Sequence, residues 1–298
     1  MLVIGIGCGL LTALCQAVTY LLSRRYIAAQ RRPLQLWVAS QLWMSLMALP
    51  LLLLWREPTA GWMRTALPLG GALVAYLTAQ AFFYKTVRLV PASRVAPLMG
   101  IKILFLAGLV LALNLETINA WQWAGIAMAV LAAVAVQRAA QPVPLAGLLG
   151  VVATTMAFAV SDVSITDLLR CMDPDKSFSS TMFAMAIIYV LGLGPALVML
   201  PKAGLTKADV MAALPYAIMW LASMVVLFAA INWAGVVLAI ILQGLRGPFS
   251  ILLGYGVAKR GHAHLENPID RAGLVRQLMA AALMVGATAL YVWGRSAT

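Results

Sequence analysis

Apolar residues in this chain do not recur at the spacing of a helix face or alternate as in a half-buried strand. They run on for about twenty positions at a time, and polar residues collect in the short gaps between runs. At a rise of about 1.5 Å per residue, a helical run of that length crosses the hydrocarbon of a bilayer. Ten runs are legible: 2–22, 34–55, 66–87, 92–113, 120–137, 145–166, 180–200, 210–231, 235–257 and 275–293. Several gaps carry turn formers: Glu57-Pro58, Gln141-Pro142-Val143-Pro144 and Asp173-Pro174-Asp175. The third and fourth runs, and the eighth and ninth, are joined so tightly that each pair forms a hairpin. The predicted fold is an all-α polytopic membrane protein of ten transmembrane helices, with no room for a soluble domain.

The chain divides into two five-helix halves, 1–137 and 145–298, with 138–144 as linker. An odd number of helices per half turns the second upside down relative to the first, giving two inverted repeats. Laying 74–113 on 218–257 without a gap supports the duplication. Tyr76 then meets Trp220, Tyr84 meets Phe228, Gly100 meets Gly244, Lys102 meets Arg246 and Phe105 meets Phe249. The argument rests on the coincidence of these rare residues, since overall identity between the halves is low.

Composition narrows the class. The chain is 63% hydrophobic and 10% charged, against about 25% charged for a soluble protein. Lipid is therefore its solvent, and the formal charge of +12 sits mostly in short connections, which excludes nucleic acid as a partner. Those cations serve orientation and lipid headgroups. Cys8, Cys15 and Cys171 form no disulfide framework or zinc spacing. The first run opens at Leu2 without a basic lead and is read as a retained helix. His262-x-His264-x-Glu266, beside Lys259 and Arg260, is read as a solvated connection and not a metal site. No cofactor is predicted. The absence of a phosphate-binding loop, a dinucleotide turn or a Ser/His/Asp set argues against an enzyme.

Two charges break the apolar pattern. Lys102 and Arg246 are each the eleventh of 22 positions in 92–113 and 236–257, 144 residues apart. A charge at mid-membrane costs about 2.5–3.5 kcal/mol and is seldom kept without a use. Gly100 and Gly244, just before them, permit close helix approach, and Pro248 bends the ninth helix. Tyr76, Gln80 and Tyr84 share one helical face, as do Trp37 and Gln41. Trp220 inherits candidacy from Tyr76, and Gln16 and Gln243 are lone amides in apolar runs. The predicted substrate-binding set is Lys102, Arg246, Tyr76, Gln80, Trp220, Gln243, Gln16 and Gln41. Interhelical hydrogen bonding is the competing reading for the amides. Asp162, toward the end of its run, is a candidate coupling carboxylate or counter-ion for the basic pair, with a helix-end residue reaching for the interface as the alternative.

The stretch Glu116-Thr117-Ile118-Asn119-Ala120-Trp121-Gln122-Trp123-Ala124-Gly125-Ile126 resembles the signature that closes each half of EamA-like members of the drug/metabolite transporter superfamily. Pro91-Ala92-Ser93 at the head of the fourth run is also similar. The resemblance implies ten helices, two inverted repeats and an N-terminus inside the cell. It further implies a phosphate-binding role for Arg246, by similarity to the sugar-phosphate and nucleotide-sugar branches. Two features depart from the family pattern: Lys102-Ile103 stands where a mid-helix proline is usual, and the second half ends in a charged segment, His262 to Arg271.

The predicted function is secondary transport of a small organic solute by alternating access, as exporter or exchanger. The two cations need a negative partner, and the simplest one is the solute: an organophosphate, a carboxylate or an amino acid. A flippase for a phosphorylated lipid carrier and an intramembrane enzyme on lipid-linked substrates are the alternatives. The expected setting is a bacterial inner membrane, with monomer and homodimer both open. Lys and Arg number 14 in the connections that follow odd-numbered helices and 5 on the other side. By the positive-inside rule that places the N-terminus outside, against the family expectation.

Overall fold

The computed structural model describes residues 1–89, 99–115, 117–137, 144–259 and 271–296. The linker 138–143, the His262–Glu266 cluster and Glu116 lie outside the described residues. Twelve helices and no strand occur among those described: α1 (Leu2–Ala28), α2 (Pro33–Ala48), α3 (Trp62–Leu89), α4 (Lys102–Ala112), α5 (Ala120–Gln137), α6 (Leu145–Met172), α7 (Phe178–Leu191), α8 (Leu193–Ala203), α9 (Lys207–Ala234), α10 (Val236–Gln243), α11 (Arg246–Lys259) and α12 (Arg271–Ser296). Among the described residues, six stretches are long and apolar enough to cross a membrane: Leu2–Ala28, Pro33–Leu54, Trp62–Phe83, Leu145–Met172, Phe178–Ala203 and Lys207–Ala234. Four shorter apolar stretches, Met99–Ala112, Ala120–Ala132, Val236–Ser250 and Ala282–Gly294, stand at the fourth, fifth, ninth and tenth apolar runs.

The surface is that of a protein solvated by lipid. Leu53, Met63 and Leu67 are more than four-fifths exposed, while Gln16, Gln41, Gln80, Lys102 and Asp162 are buried. Three crossings dominate the packing: α3 on α6, α1 on α9, and α5 on α12. Lipid offers no hydrophobic gain for bringing helices together, so close approach through small residues does the work. A β-carbon on Gly5 would lie 2.8 Å from Ala234 Cβ, and one on Gly71 would lie 2.9 Å from Ser164 Oγ. Ser161 Oγ donates to the Ala72 carbonyl across α3 and α6 at 3.1 Å.

The family-like stretch has a physical content. Asn119 precedes α5; Gln122 N–H donates to its side chain, and its own N–H donates to Gln122 Oε1. Asn119 Nδ2 also donates to the Gly294 carbonyl of α12 at 2.6 Å. Gly125 lets α12 come close, since a β-carbon there would meet the Ala287 carbonyl at 2.8 Å. These residues cap α5 and seat it on α12.

Several apolar runs are broken where continuous helices were expected, and each break has a cause. Beyond Ala48 the chain tightens into a 3-10 stretch, Leu49–Leu54, where Pro50 has no N–H to donate. The run 180–200 breaks at Gly192 between α7 and α8. The ninth run breaks at Gly244-Leu245. Pro248 cannot bond the Gly244 carbonyl, which instead accepts from Gly247 N–H at 3.3 Å. In the fourth run a 3-10 turn, Met99–Ile101, leads into α4. Arg246 is thus the first residue of a restarted helix, and Lys102 the first residue of an α-helix that follows a 3-10 turn.

Candidate functional site

Backbone that departs from the α-helix within a membrane is tolerated only where it is buried in protein or lines a cavity. That is where both cations lie. Lys102 is 4% exposed and Arg246 7%. They line one cavity with Gln16 and Tyr20 of α1, Tyr76 and Gln80 of α3, Phe158 and Asp162 of α6, Tyr189 of α7, Trp220 of α9 and Gln243 of α10. About 80 Å³ of it is open to the centres of water molecules. One water needs about 10–15 Å³ on that measure, so several waters or a small organic solute fit. The walls are largely aromatic. Tyr76 and Tyr189 meet edge to face at 6.1 Å, and Tyr216 stacks on Trp220 at 5.9 Å. Trp220 Nε1 donates to the Tyr189 hydroxyl at 3.0 Å.

The two cations differ in their partners. Lys102 Nζ donates to Asp162 Oδ2 at 2.7 Å and to Gln243 Oε1 at 2.9 Å. Arg246 Nη1 donates to Gln16 Oε1 at 2.9 Å, and its guanidinium lies over the Tyr20 ring at 6.0 Å. The expectation that a solute neutralises both cations is therefore corrected at Lys102, which already has a carboxylate. Asp162 is no helix-end residue either. The helix α6 runs on to Met172, and the side chain is buried, 7% exposed. Six of the predicted eight binding candidates are amides or aromatics, and Gln16, Gln80, Gln243, Tyr76 and Trp220 all reach the cavity.

Gln41 does not join them. Its Nε2 donates to the Tyr189 carbonyl at 3.0 Å, and Ser45 Oγ donates to the same carbonyl at 2.8 Å. A β-carbon on Gly192 would lie 2.6 Å from that Nε2, so Gln41 fills the bend between α7 and α8. The backbone of Tyr84 belongs to α3, while its side chain lies outside the described residues. Tyr189 went unnoticed in the sequence, although a lone hydroxyl near the middle of 180–200 satisfies the criterion that singled out Gln16.

A second, wider cavity of about 960 Å³ lies at the C-terminal end of α9. Asn114, Asn119, Arg170, Lys176 and Asn232 give it a polar lining. Asp162 and Phe228 face the first cavity; Thr166 and Ile231, about one turn further along α6 and α9, face the second. Four residues of helix separate Asp162 from Thr166, which is about 6 Å. Outside the spans, the Asp173 carboxyl is held below the usual carboxylate range, chiefly by the hydrogen bond with Ser177 and also by Asp175 N–H and Ser180. That cluster ties the α6 end to the α7 start.

No curated protein matches the sequence. A protein known from its crystal structure superposes with a TM-score of 0.64 at 17% identity, over 96% of this chain and 98% of its own. At that identity the likeness shows the fold alone. The family model of EamA-like transporters matches residues 3–137. Its members are membrane transporters and not enzymes. With an interior polar cavity, a lipid-type surface and this match over residues 3–137, the chain is an integral multi-pass membrane protein whose first half is similar to the EamA-like transporter family.

Proposed function

We propose that this protein is a secondary active transporter, exporter or exchanger, for a small organic solute that carries a negative group and an apolar or aromatic body. The carrying observation is Arg246, a buried guanidinium whose partner across the cavity is an amide. Arginine presents five donors in a planar fork and suits bidentate binding of a carboxylate or phosphate. The aromatic lining supplies a surface for the rest of the solute.

Alternating access between two inverted five-helix repeats is the mechanism we infer. Exchanging the halves interconverts the α1–α9 and α3–α6 crossings and returns α5–α12 to itself, which is the pattern an inverted duplication leaves. Two cavities about one helical turn apart along α9 leave a thin barrier for a rocking motion to move from one side of the solute to the other.

The test is transport in proteoliposomes, after a thermal-shift screen of phosphorylated and carboxylated metabolites has found a ligand. Arg246→Ala is the clean variant, because Lys102→Ala also strands Asp162. Loss of uptake in Arg246→Ala, with the protein still folded, is expected. Uptake equal to the parent's would remove Arg246 from the site.

A further inference from the structure

The two halves answer their mid-membrane cations differently. In the first half, Lys102 at the start of α4 is met by Asp162 on α6 at 2.7 Å. In the second, Arg246 at the start of α11 is met by Gln16 on α1 at 2.9 Å. The helices α1 and α6 open their respective halves, so the two contacts occupy corresponding places. One is an ion pair; the other is the same kind of contact with the charge removed. Gln16 is 3% exposed, and a glutamate differs from it by replacing the amide NH2 with a second oxygen. Among the described residues lining the cavity, Asp162 is the single acid and Lys102 and Arg246 are the two bases. Those residues therefore leave the cavity one positive charge.

We infer that Gln16 is the residue that sets charge specificity: by presenting an amide where the other half presents a carboxylate, it holds Arg246 in place without neutralising it. This rests on the proposed role of Arg246 as the anion-binding group. The amide oxygen takes one N–H of the guanidinium and fixes its plane, which leaves the other donors for an anion. A carboxylate at the same position would satisfy Arg246 permanently, and the cavity would then favour neutral solutes. The preferred solute is a monoanion, since one unpaired cation balances one negative charge.

The experiment uses the full chain in detergent, with benzoate and phenyl phosphate as probes, benzyl alcohol as the neutral control, and calorimetry and melting temperature as readouts. The parent is expected to bind both anions, benzoate more tightly than the largely dianionic phenyl phosphate, and to gain no stability from benzyl alcohol. Gln16→Glu is expected to lose at least tenfold in anion affinity while melting, without probe, at the parent temperature or above it. Gln16→Ala loses the hold on the guanidinium but leaves Arg246 unneutralised, and is expected to keep more anion affinity than Gln16→Glu. The inference is overturned if Gln16→Glu binds as the parent does, or if Gln16→Ala loses binding as completely as Gln16→Glu. Arg246→Ala separates the two levels. If it binds the anions like the parent, or if the parent binds neither, the anion-site reading itself fails. If it loses them and Gln16→Glu keeps them, only the role given to Gln16 fails.

Discussion

Removing either partner of the Lys102–Asp162 pair should cost more than removing both. The side chains are 5% and 7% exposed and their charged atoms are 2.7 Å apart. Both are shielded from bulk solvent. In Asp162→Asn, the amide still offers an oxygen to Nζ, but the ammonium is left buried without a counter-charge. In Lys102→Met, the carboxylate is stranded instead. Breaking a buried pair from one side costs about 3–5 kcal/mol, whereas replacing both groups is often close to neutral. The double variant also removes the bond from Lys102 to Gln243, a charge-assisted contact worth about 1.5–3 kcal/mol. The expected pattern is a loss of about 3 kcal/mol or more in each single variant, and a double variant no worse than either. That corresponds to a coupling of about 3 kcal/mol, at the upper end for residues in contact. Equilibrium unfolding by SDS titration in mixed micelles reads all four corners of the cycle. Additive losses, with coupling under about 0.5 kcal/mol, would mean that the pair does not stabilise the fold, and Lys102 would return to the list of groups free to bind solute.

Gly125→Ala places a β-carbon 2.8 Å from the Ala287 carbonyl and 3.1 Å from Tyr291 N; these are backbone atoms, so a loss of about 1–3 kcal/mol is expected in the same titration. Gln41→Leu removes a donor to the Tyr189 carbonyl and should lower stability by about 1 kcal/mol while leaving solute affinity within twofold; a larger loss of affinity in a binding titration would return Gln41 to the site. Because the Asp173 carboxyl titrates below its unfolded value, its contribution is complete above the unfolded pKa of about 3.9 and is lost as pH falls through the lower folded one. Hydrogen exchange at Asp175 and Ser177 should therefore be flat from pH 8 to 5 after correction for intrinsic rate and rise only in stronger acid, and Asp173→Asn should remove that acid limb.

The spans were legible because a run of about twenty apolar residues has few other uses. The cavity was legible for the same reason turned around: a polar side chain in such a run is costly enough to be noticed. Gln16, Gln243, Lys102 and Arg246 stood out on that ground and Gln80 by the helical face it shares with Tyr76, and all five converge. What the sequence could not supply was the pairing. Gln41 and Gln16 look alike along the chain, since both are single amides in apolar surroundings. One fills the bend at Gly192 and the other faces a guanidinium, and only the helix crossings decide between these roles. For Asp162 the counter-ion reading and the helix-end reading both stayed open, because hydropathy fades before the helix does: polar residues such as Asp167 and Arg170 continue α6 to Met172.

The unequal treatment of the two cations has a physical logic. Two bare charges at mid-membrane would together cost about 5–7 kcal/mol at insertion-scale values, a large fraction of the stability of an ordinary fold. Two paired charges would be tolerable but would hold nothing for a solute. Here the pair that is closed also joins elements: Lys102 links α4 to α6 through Asp162 and to α10 through Gln243. The cation left to an amide sits on α11, one residue beyond the break at Gly244-Leu245. A fold that moves its binding group between two faces needs one contact that survives the motion and one that the solute completes. The closed pair suits the first role and Arg246 the second. A solute that neutralises Arg246 would also lower the cost of keeping the charge in the bilayer interior, so binding and stability should rise together. Loaded protein should therefore resist SDS unfolding better than empty protein, and that gain should vanish in Arg246→Ala while persisting in Gln41→Leu.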